Sequence, residues 1–152
     1  MEPYIGNLDR SAVQDLADPS RVTHYAIVPV TVAGFAKDGV LTPPSSEKAM
    51  IDTGATSSAV HPSLAGELGL QQVGNESGDD SDESVLLYRM RVTIPKIGGE
   101  WDLYVIGREY GHPQLFRVII GTDILKDCAF TFNGPKGRGT FGLMYFPPSS
   151  TG

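Results

Sequence analysis

The chain has 152 residues and a mass of 16.3 kDa, a size that suits one domain with a buried core. Acidic residues outnumber basic ones by 18 to 12, and the resulting net charge of −6 argues against a nucleic-acid partner. The single cysteine, Cys128, excludes an internal disulfide framework, and no apolar run approaches the roughly 18 residues of a membrane span.

The 18 glycines and 11 prolines favour many short elements joined by turns over a bundle of helices. The amino terminus has neither the basic nor the apolar part of a signal peptide. We therefore expect a soluble, cytoplasmic protein without membrane contact. A soluble domain taken from a longer protein would have the same features.

The first third of the chain predicts an arm, a strand, a loop and a second strand. Residues 1–22 are polar and predict an arm with one short helical turn. The β-branched run 25–32 predicts a strand, and Pro29 places that strand at an edge or a bulge. Residues 34–46 predict a loop, and residues 47–52 form a short strand that runs into a glycine turn.

The middle of the chain predicts one helix and a pair of strands. Pro62 and Gly69 stand where helices prefer proline and glycine, at the start and just past the end. Residues 86–94 alternate between apolar and polar side chains, which indicates a strand, and residues 101–106 return as another.

The last third predicts an apolar strand over 115–120, a short helix over 122–126 and a hairpin made of 129–132 and 140–146. The sum is a mostly-β domain of about seven strands and two short helices. We assign this domain to residues 23–147, with a tail at 148–152.

The segment from Met50 to Ser57 carries the clearest chemical signal. Asp52 ends an apolar strand, Thr53 offers a hydroxyl, and Gly54 lets other backbone approach closely. Two apolar residues followed by Asp-Thr-Gly-Ala resemble the active-site loop of aspartic proteases, and Ala55 resembles the retropepsin branch in particular.

A second segment, Val118 to Leu125, resembles the second signature of retropepsin-like proteins: two apolar residues, a glycine and a short helix. The resemblance covers about residues 24–146. It implies that Ile119, Ile120 and Gly121 support the Asp52 loop from below, and that the strand 128–132 lies at an interface.

The resemblance implies a closed or partly open β-barrel with one or two short helices, active as a homodimer on peptide or protein substrates. Two carboxyl groups about 3 Å apart share one proton, so one activates water while the other polarises the scissile carbonyl. One chain has a single Asp-Thr-Gly, so two chains must each supply Asp52 across a two-fold axis. The chemistry needs no metal and no cofactor.

Two positions depart from the pattern of retroviral members, and Ala55 bears on the pH optimum. Retroviral members usually carry an acid and an arginine at the positions of Thr56 and Thr122, and these two residues pair. Their joint absence predicts a neutral substitute and a cellular or bacterial type of retropepsin. Ala55 cannot donate a hydroxyl hydrogen bond to the ionised pair, so we expect a weakly acidic pH optimum.

The acidic segment 74–84 stands where the family has its flap, the hairpin that closes over substrate, and Gly74 and Gly78 would give it mobility. Its charge favours basic peptides or a response to pH, or it belongs to a solvated loop. The spacing of its acids does not match a calcium-binding loop.

Other interpretations stay open. Asp52 could cap the turn after its strand, and the fold could serve as a non-catalytic dimerisation or peptide-binding module. The first 22 residues could be a removable pro-segment. The three histidines lack metal-ligand spacing, and Ser57 and Ser58 lack the Gly-x-Ser-x-Gly pattern of serine hydrolases.

Overall fold

A computed structural model describes residues 3–10, 23–36, 38–77, 84–110 and 112–148. Across these ranges the chain is mostly β, with two short helices, as the composition predicts. The elements in chain order are β1 (Tyr4–Asn7), β2 (Asp9–Arg10), β3 (His24–Tyr25), β4 (Ile27–Gly34), β5 (Ser45–Ile51), β6 (Ala59–Val60), α1 (Pro62–Leu68), β7 (Gln72–Ser77), β8 (Ser84–Ile94), β9 (Gly99–Gly107), β10 (Val118–Ile120), α2 (Thr122–Leu125), β11 (Cys128–Asn133) and β12 (Thr140–Tyr145).

Six of these strands close into a barrel. Their hydrogen-bonded order is β4-β5-β10-β6-β9-β8, and pairing between β8 and β4 completes the ring. Closure leaves these strands with few free edges, and their inward side chains make the core. Val28, Val92 and Ile120 are among the core residues with no exposed surface. The predicted closed barrel is thus confirmed.

Pro29 lies in a part of β4 that has one neighbouring strand. It is opposite Lys48 of β5, whereas β8 pairs with β4 only from Thr31 onward. Proline has no N–H to donate to a second neighbour, so it fits this position without losing a ladder hydrogen bond. The predicted edge position is confirmed.

Strand β8 alternates as its sequence predicts. Met90, Val92 and Ile94 are fully buried, while Arg91 and Thr93 between them are partly exposed. The turn to β9 contains Gly98 at φ 72°, a left-handed conformation that suits glycine.

A three-stranded sheet of order β1-β12-β11 stands beside the barrel. Its first strand was expected to be part of a polar arm, yet residues 4–7 pair with β12 and residues 9–10 pair with β3. Tyr4 packs edge-on against Phe141 with ring centroids 5.9 Å apart, so burial of an aromatic ring fixes this segment. The helical turn expected in the arm is absent from residues 3–10, and residues 11–22 lie outside the described ranges.

Helix α1 begins and ends as predicted. The Nδ1 atom of His61 accepts a hydrogen bond from the backbone N–H of Ser63, Pro62 occupies the first turn, and Gly69 ends the helix at φ 60°. No helix in the described ranges is long and apolar enough to cross a membrane.

The apolar strand expected over 115–120 is shorter than predicted. The backbone N–H groups of Leu115 and Phe116 both donate to the carbonyl of His112, which makes a turn there. Strand β10 therefore begins only at Val118.

Candidate active site

Asp52 lies at the carboxyl end of β5, where the barrel wall has a parallel neighbour. Met50 and Ile51 are opposite Ile119 and Ile120 of β10. The backbone N–H of Asp52 donates to the carbonyl of Ile120 at 2.9 Å, so β10 fixes the point at which the Asp52 side chain leaves the wall. Asp52 itself is half-buried.

The carboxylate of Asp52 is oriented by its own loop. Its Oδ1 atom accepts a hydrogen bond from the N–H of Gly54 at 2.9 Å, and its backbone carbonyl accepts one from Ala55 at 3.2 Å. Among the described residues, no arginine, lysine or histidine forms a salt bridge with it. One carboxylate oxygen is thus held while the other is available to a further partner.

Thr53 and Gly54 are exposed at the tip of this loop, and Ala55 is half-buried. Within the described part of the chain the Thr53 hydroxyl has no hydrogen-bond partner. Any bond that locks the loop through this hydroxyl must therefore be made to another molecule or to residues outside that part.

The second predicted segment lies directly against the loop. The N–H of Thr122 donates to the carbonyl of Ala55 at 2.8 Å. A Cβ atom added to Gly121 would lie 2.7 Å from that same carbonyl oxygen and 2.9 Å from the carbonyl carbon of Ser57. Only glycine permits the backbone of residue 121 to come this close to the Asp52 loop. Ile120 and Gly121 therefore lie directly against that loop.

A hydrogen-bond network that the sequence analysis did not predict joins the segment after Asp52 to the segment that begins at Gly121. Ser58 is fully buried, its hydroxyl donates to Asp123 Oδ1 at 2.6 Å, and its N–H donates to Asp123 Oδ2 at 2.9 Å. The Ser58 hydroxyl also accepts the N–H of Gly121 at 3.0 Å. Where a neutral substitute for the charged pair is expected, the structure has a carboxyl group, that of Asp123, one position beyond Thr122. The polar Ser58 before the apolar strand β6 was the available signal.

Asp52 lines a cavity of about 240 Å3 beside the three-stranded sheet. Phe130 and Phe132 of β11 form one side of it, and Tyr25 and Met50 form another. The cavity is thus an open groove lined by aromatic and aliphatic side chains, by His24 and by one carboxylate.

A larger cavity, of about 530 Å3, lies elsewhere, around Glu47 and Arg117. Arg117 forms salt bridges there with Glu47 and with Glu67, the latter at 2.8 Å. The acid and the guanidinium group that line this cavity are therefore paired with each other.

The predicted flap begins as a hairpin. Strands β7 and β8 pair antiparallel, with Gly74 opposite Leu87 and a bulge at Val73. Gly78 and the acidic residues 79–83 lie outside the described ranges, so closure over substrate stays a prediction.

The other candidate groups do not assemble into a second site. Ser58 bonds to Asp123 and His61 bonds to Ser63 within its own helix cap, so Ser58 and His61 do not pair with each other. Among the described residues, no three histidine, cysteine or acidic side chains converge as metal ligands do.

Comparison of the sequence with protein-family models and with curated proteins finds no match. Comparison of the structure finds retropepsin-like proteins. A retropepsin-like aspartic protease from Rickettsia conorii shares 17% identity at a TM-score of 0.46, covering 80% of this chain and 95% of that one.

Two further solved structures are similar at the same level. The retroviral protease-like domain of Ddi1 from Leishmania major shares 18% identity at a TM-score of 0.43, with 83% and 97% of the chains covered. The EIAV protease, in complex with the inhibitor HBY-793, shares 15% identity at a TM-score of 0.41, with 68% and 86% covered. These similarities concern the fold alone, and the chemistry of Asp52 depends on its own residues.

Proposed function

We propose that the chain is an aspartic endopeptidase in which two copies each supply Asp52. One observation carries the proposal: Gly54 holds the Asp52 carboxylate through one oxygen, at an open groove, and no described residue forms a salt bridge with it. A carboxylate so placed can pair with a second carboxyl group and share its proton.

The edge of the three-stranded sheet supports pairing of two copies. Strand β11 has β12 on one side and no described strand on the other. Its sequence, Cys128–Asn133, has no charge and no proline, the features that usually protect a free edge. Phe132, 55% exposed, lines the groove that contains Asp52. A second copy that pairs along β11 would cover Phe132 and approach Asp52.

The reaction follows from the shared proton. The ionised carboxylate takes a proton from a water molecule, whose oxygen bonds to the scissile carbonyl carbon, while the protonated carboxyl group donates to the carbonyl oxygen. The tetrahedral species then breaks its C–N bond as the leaving nitrogen takes a proton from the pair. Gly54 keeps each carboxylate aimed throughout.

The substrate of this reaction is an extended peptide. Among the strands that the structure describes, β7 is the outermost of its sheet and pairs with β8 alone. A peptide that adds to a free strand edge gains backbone hydrogen bonds independent of its sequence. The hairpin of β7 and β8 would thus hold the peptide as a flap does.

The test compares Asp52→Asn with Asp38→Asn, a matched control. Asp38 also accepts a backbone hydrogen bond within its own turn, from Val40 at 3.1 Å, but lies outside the groove. We expect Asp52→Asn to abolish cleavage of a mixed peptide library between about pH 3 and pH 8, and Asp38→Asn to retain it. Cleavage that persists in Asp52→Asn contradicts the mechanism.

A non-catalytic module is the second candidate, because the bond from Gly54 to Asp52 is also what a turn-capping acid makes. In that case the parent chain binds peptides and dimerises but cleaves nothing across the same pH range. Binding of library peptides, measured alongside cleavage, separates the two functions.

A further inference from the structure

Asp127 is the joint at which the hairpin of β11 and β12 meets the barrel. It lies between the end of α2 and the start of β11. Its N–H donates to the carbonyl of Ile124 at 3.1 Å, and its own carbonyl accepts the N–H of Phe146 at 2.9 Å. The backbone of Asp127 thus ties α2 to the start of β11 and to the end of β12.

The side chain of Asp127 bonds to the barrel itself. Its Oδ2 atom accepts a hydrogen bond from Nε1 of Trp101 at 2.9 Å. Trp101 lies on β9, opposite Val92 of β8, and is only 8% exposed. A carboxylate acceptor makes such a bond stronger than a neutral acceptor does, and a buried indole N–H that loses its acceptor is costly.

The indole ring of Trp101 also contacts the hairpin. Tyr145 of β12 meets it edge-on with ring centroids 5.1 Å apart, and Tyr145 is opposite Cys128, the first residue of β11. The ring lies so close to Gly99 that a Cβ atom added there would overlap it. We call Trp101, Asp127 and Tyr145 the hairpin anchor, because together they join the barrel to both strands of the hairpin.

The hairpin anchor differs in kind from the other contacts of the hairpin with the barrel. Phe141 and Leu143 of β12 are buried in the main core, and they hold the hairpin on the barrel by apolar contact. Apolar contact is non-directional, whereas a hydrogen bond weakens when its angle changes. The bond from Trp101 to Asp127 therefore fixes the direction in which β11 leaves the barrel.

The direction of β11 bears on the candidate site. Helix α2 bonds to the Asp52 loop at its first residue and reaches the hairpin anchor just after its last. Phe130 and Phe132 of β11 line the groove that contains Asp52. A change in the direction of β11 would thus move one side of this groove, together with the strand edge that a second copy would meet.

We propose that Trp101 and Asp127 are positioning residues of the paired site, because their hydrogen bond holds the edge of β11 in the direction that lets a second copy pair with it. The pairing rests on the proposed endopeptidase function, whereas the fixed direction of β11 does not. Loss of the bond weakens the association of two copies and leaves the barrel folded, so cleavage falls because fewer pairs form.

The first test removes the acceptor of the bond. We expect Asp127→Ala to raise the dissociation constant of the pair about tenfold or more in sedimentation velocity. Asp127→Asn keeps an oxygen that can accept the indole N–H, so its constant should stay within about twofold of the parent's. Asp102→Ala is the matched control, because Asp102 follows Trp101 on β9 but bonds to Arg91. An Asp127→Ala pair as tight as the parent pair overturns the proposal.

A second comparison separates the direction of β11 from general stability. Val28 is fully buried in the barrel, so Val28→Ala lowers the urea midpoint by leaving a cavity there. We expect Val28→Ala to keep the parent's dissociation constant, while Asp127→Ala does not. Equal weakening of association in both variants would make the bond a matter of stability alone, and overturns the proposal.

The third readout is hydrolysis at rising protein concentration. We expect Asp127→Ala to approach the parent's kcat once its copies are paired, with the half-maximal activity displaced about tenfold to higher concentration. A lowered plateau with an unchanged concentration dependence would mean that the bond does not act through pairing, and overturns the proposal.

Hydrogen exchange in dilute protein tests the direction of β11 without any pairing. We expect the amides of residues 128–133 to exchange about tenfold faster in Asp127→Ala than in the parent, while those of β8 keep the parent's rates. If the parent neither pairs nor cleaves but this difference appears, the fixed direction of β11 stands and the endopeptidase fails. If the parent pairs and cleaves but Asp127→Ala changes neither exchange nor association, the reverse is true.

Discussion

Gly121 shows how a single missing side chain shapes this site. Its backbone comes so close to Ala55 and Ser57 that a methyl group would overlap backbone atoms, which cannot rotate away. The same backbone donates to the buried hydroxyl of Ser58, which in turn is held by Asp123. The Asp52 loop is thus positioned by backbone contact and one buried hydrogen-bond network, and not by a long side chain.

We expect Gly121→Ala to destabilise the protein by about 1–3 kcal/mol and to lower activity, because the loop must shift to admit the methyl group. Gly66→Ala is the matched control: Gly66 lies inside α1, and an added Cβ would meet nothing within 4 Å. That change should stabilise by up to about 1 kcal/mol. Urea denaturation measures both, and equal effects would contradict the contact argument.

At the scale of elements, β8 and β9 are joined by a directly opposed ion pair. Arg91 and Asp102 are cross-strand neighbours, and two guanidinium nitrogens bond the two carboxylate oxygens at 2.7 and 3.0 Å. The Arg91 hydrogen bonds hold the pKa of Asp102 below its ordinary value. Both side chains are about one-third exposed, so water and salt screen the interaction.

We expect Asp102→Asn to cost less than about 1 kcal/mol of unfolding free energy at neutral pH. A carboxyl group whose pKa is lowered by folding stabilises the fold above its unfolded pKa of about 3.9. This contribution disappears as the pH falls through the lower folded value. Parent and variant should therefore converge in thermal stability only below about pH 4, and a difference that persists in strong acid would contradict this assignment.

Elements with local signals could be predicted from the sequence, and elements held by distant partners could not. The alternation of β8 is a pattern of residues that are close together in the sequence, and so are the proline and glycine at the ends of α1. The pairing of β1 with β12 joins opposite ends of the chain, and the bond from Ser58 to Asp123 spans 65 positions. The turn that shortens β10 depends on backbone hydrogen bonds that an apolar run does not reveal.

At the scale of the whole molecule, the proposed function makes the candidate site one half of a site that a second copy would complete. Asp52, Thr53 and the aromatic residues of β11 line the same open groove, and no described strand pairs with the second edge of β11. The Asp-Thr-Gly motif and its supporting glycine were found from the sequence because each is a short local pattern. The groove was not found, because it forms only where β11 passes the end of β5.

We expect Phe132→Arg to prevent pairing of two copies, since a charge on β11 protects a free edge and the exposed ring is lost. Phe146→Arg is the matched control, because both phenylalanines are 55% exposed and Phe146 lies beyond β12, away from the groove. Sedimentation velocity should show a monomer for Phe132→Arg alone, with peptide cleavage lost in the same variant. A dimer that survives Phe132→Arg would place the contact elsewhere.

No described strand covers the second edge of β11. If two copies pair there, binding of a compound between them is coupled to their association. If each copy brings one acid, a compound that touches both acids is bound only by a pair, so it must shift the population from single copies to pairs. By thermodynamic reciprocity, the factor by which the compound strengthens association equals the factor by which association strengthens its binding. A compound that binds between the two Asp52 side chains would therefore stabilise the dimer, whereas a compound that binds to the edge of β11 would dissociate it.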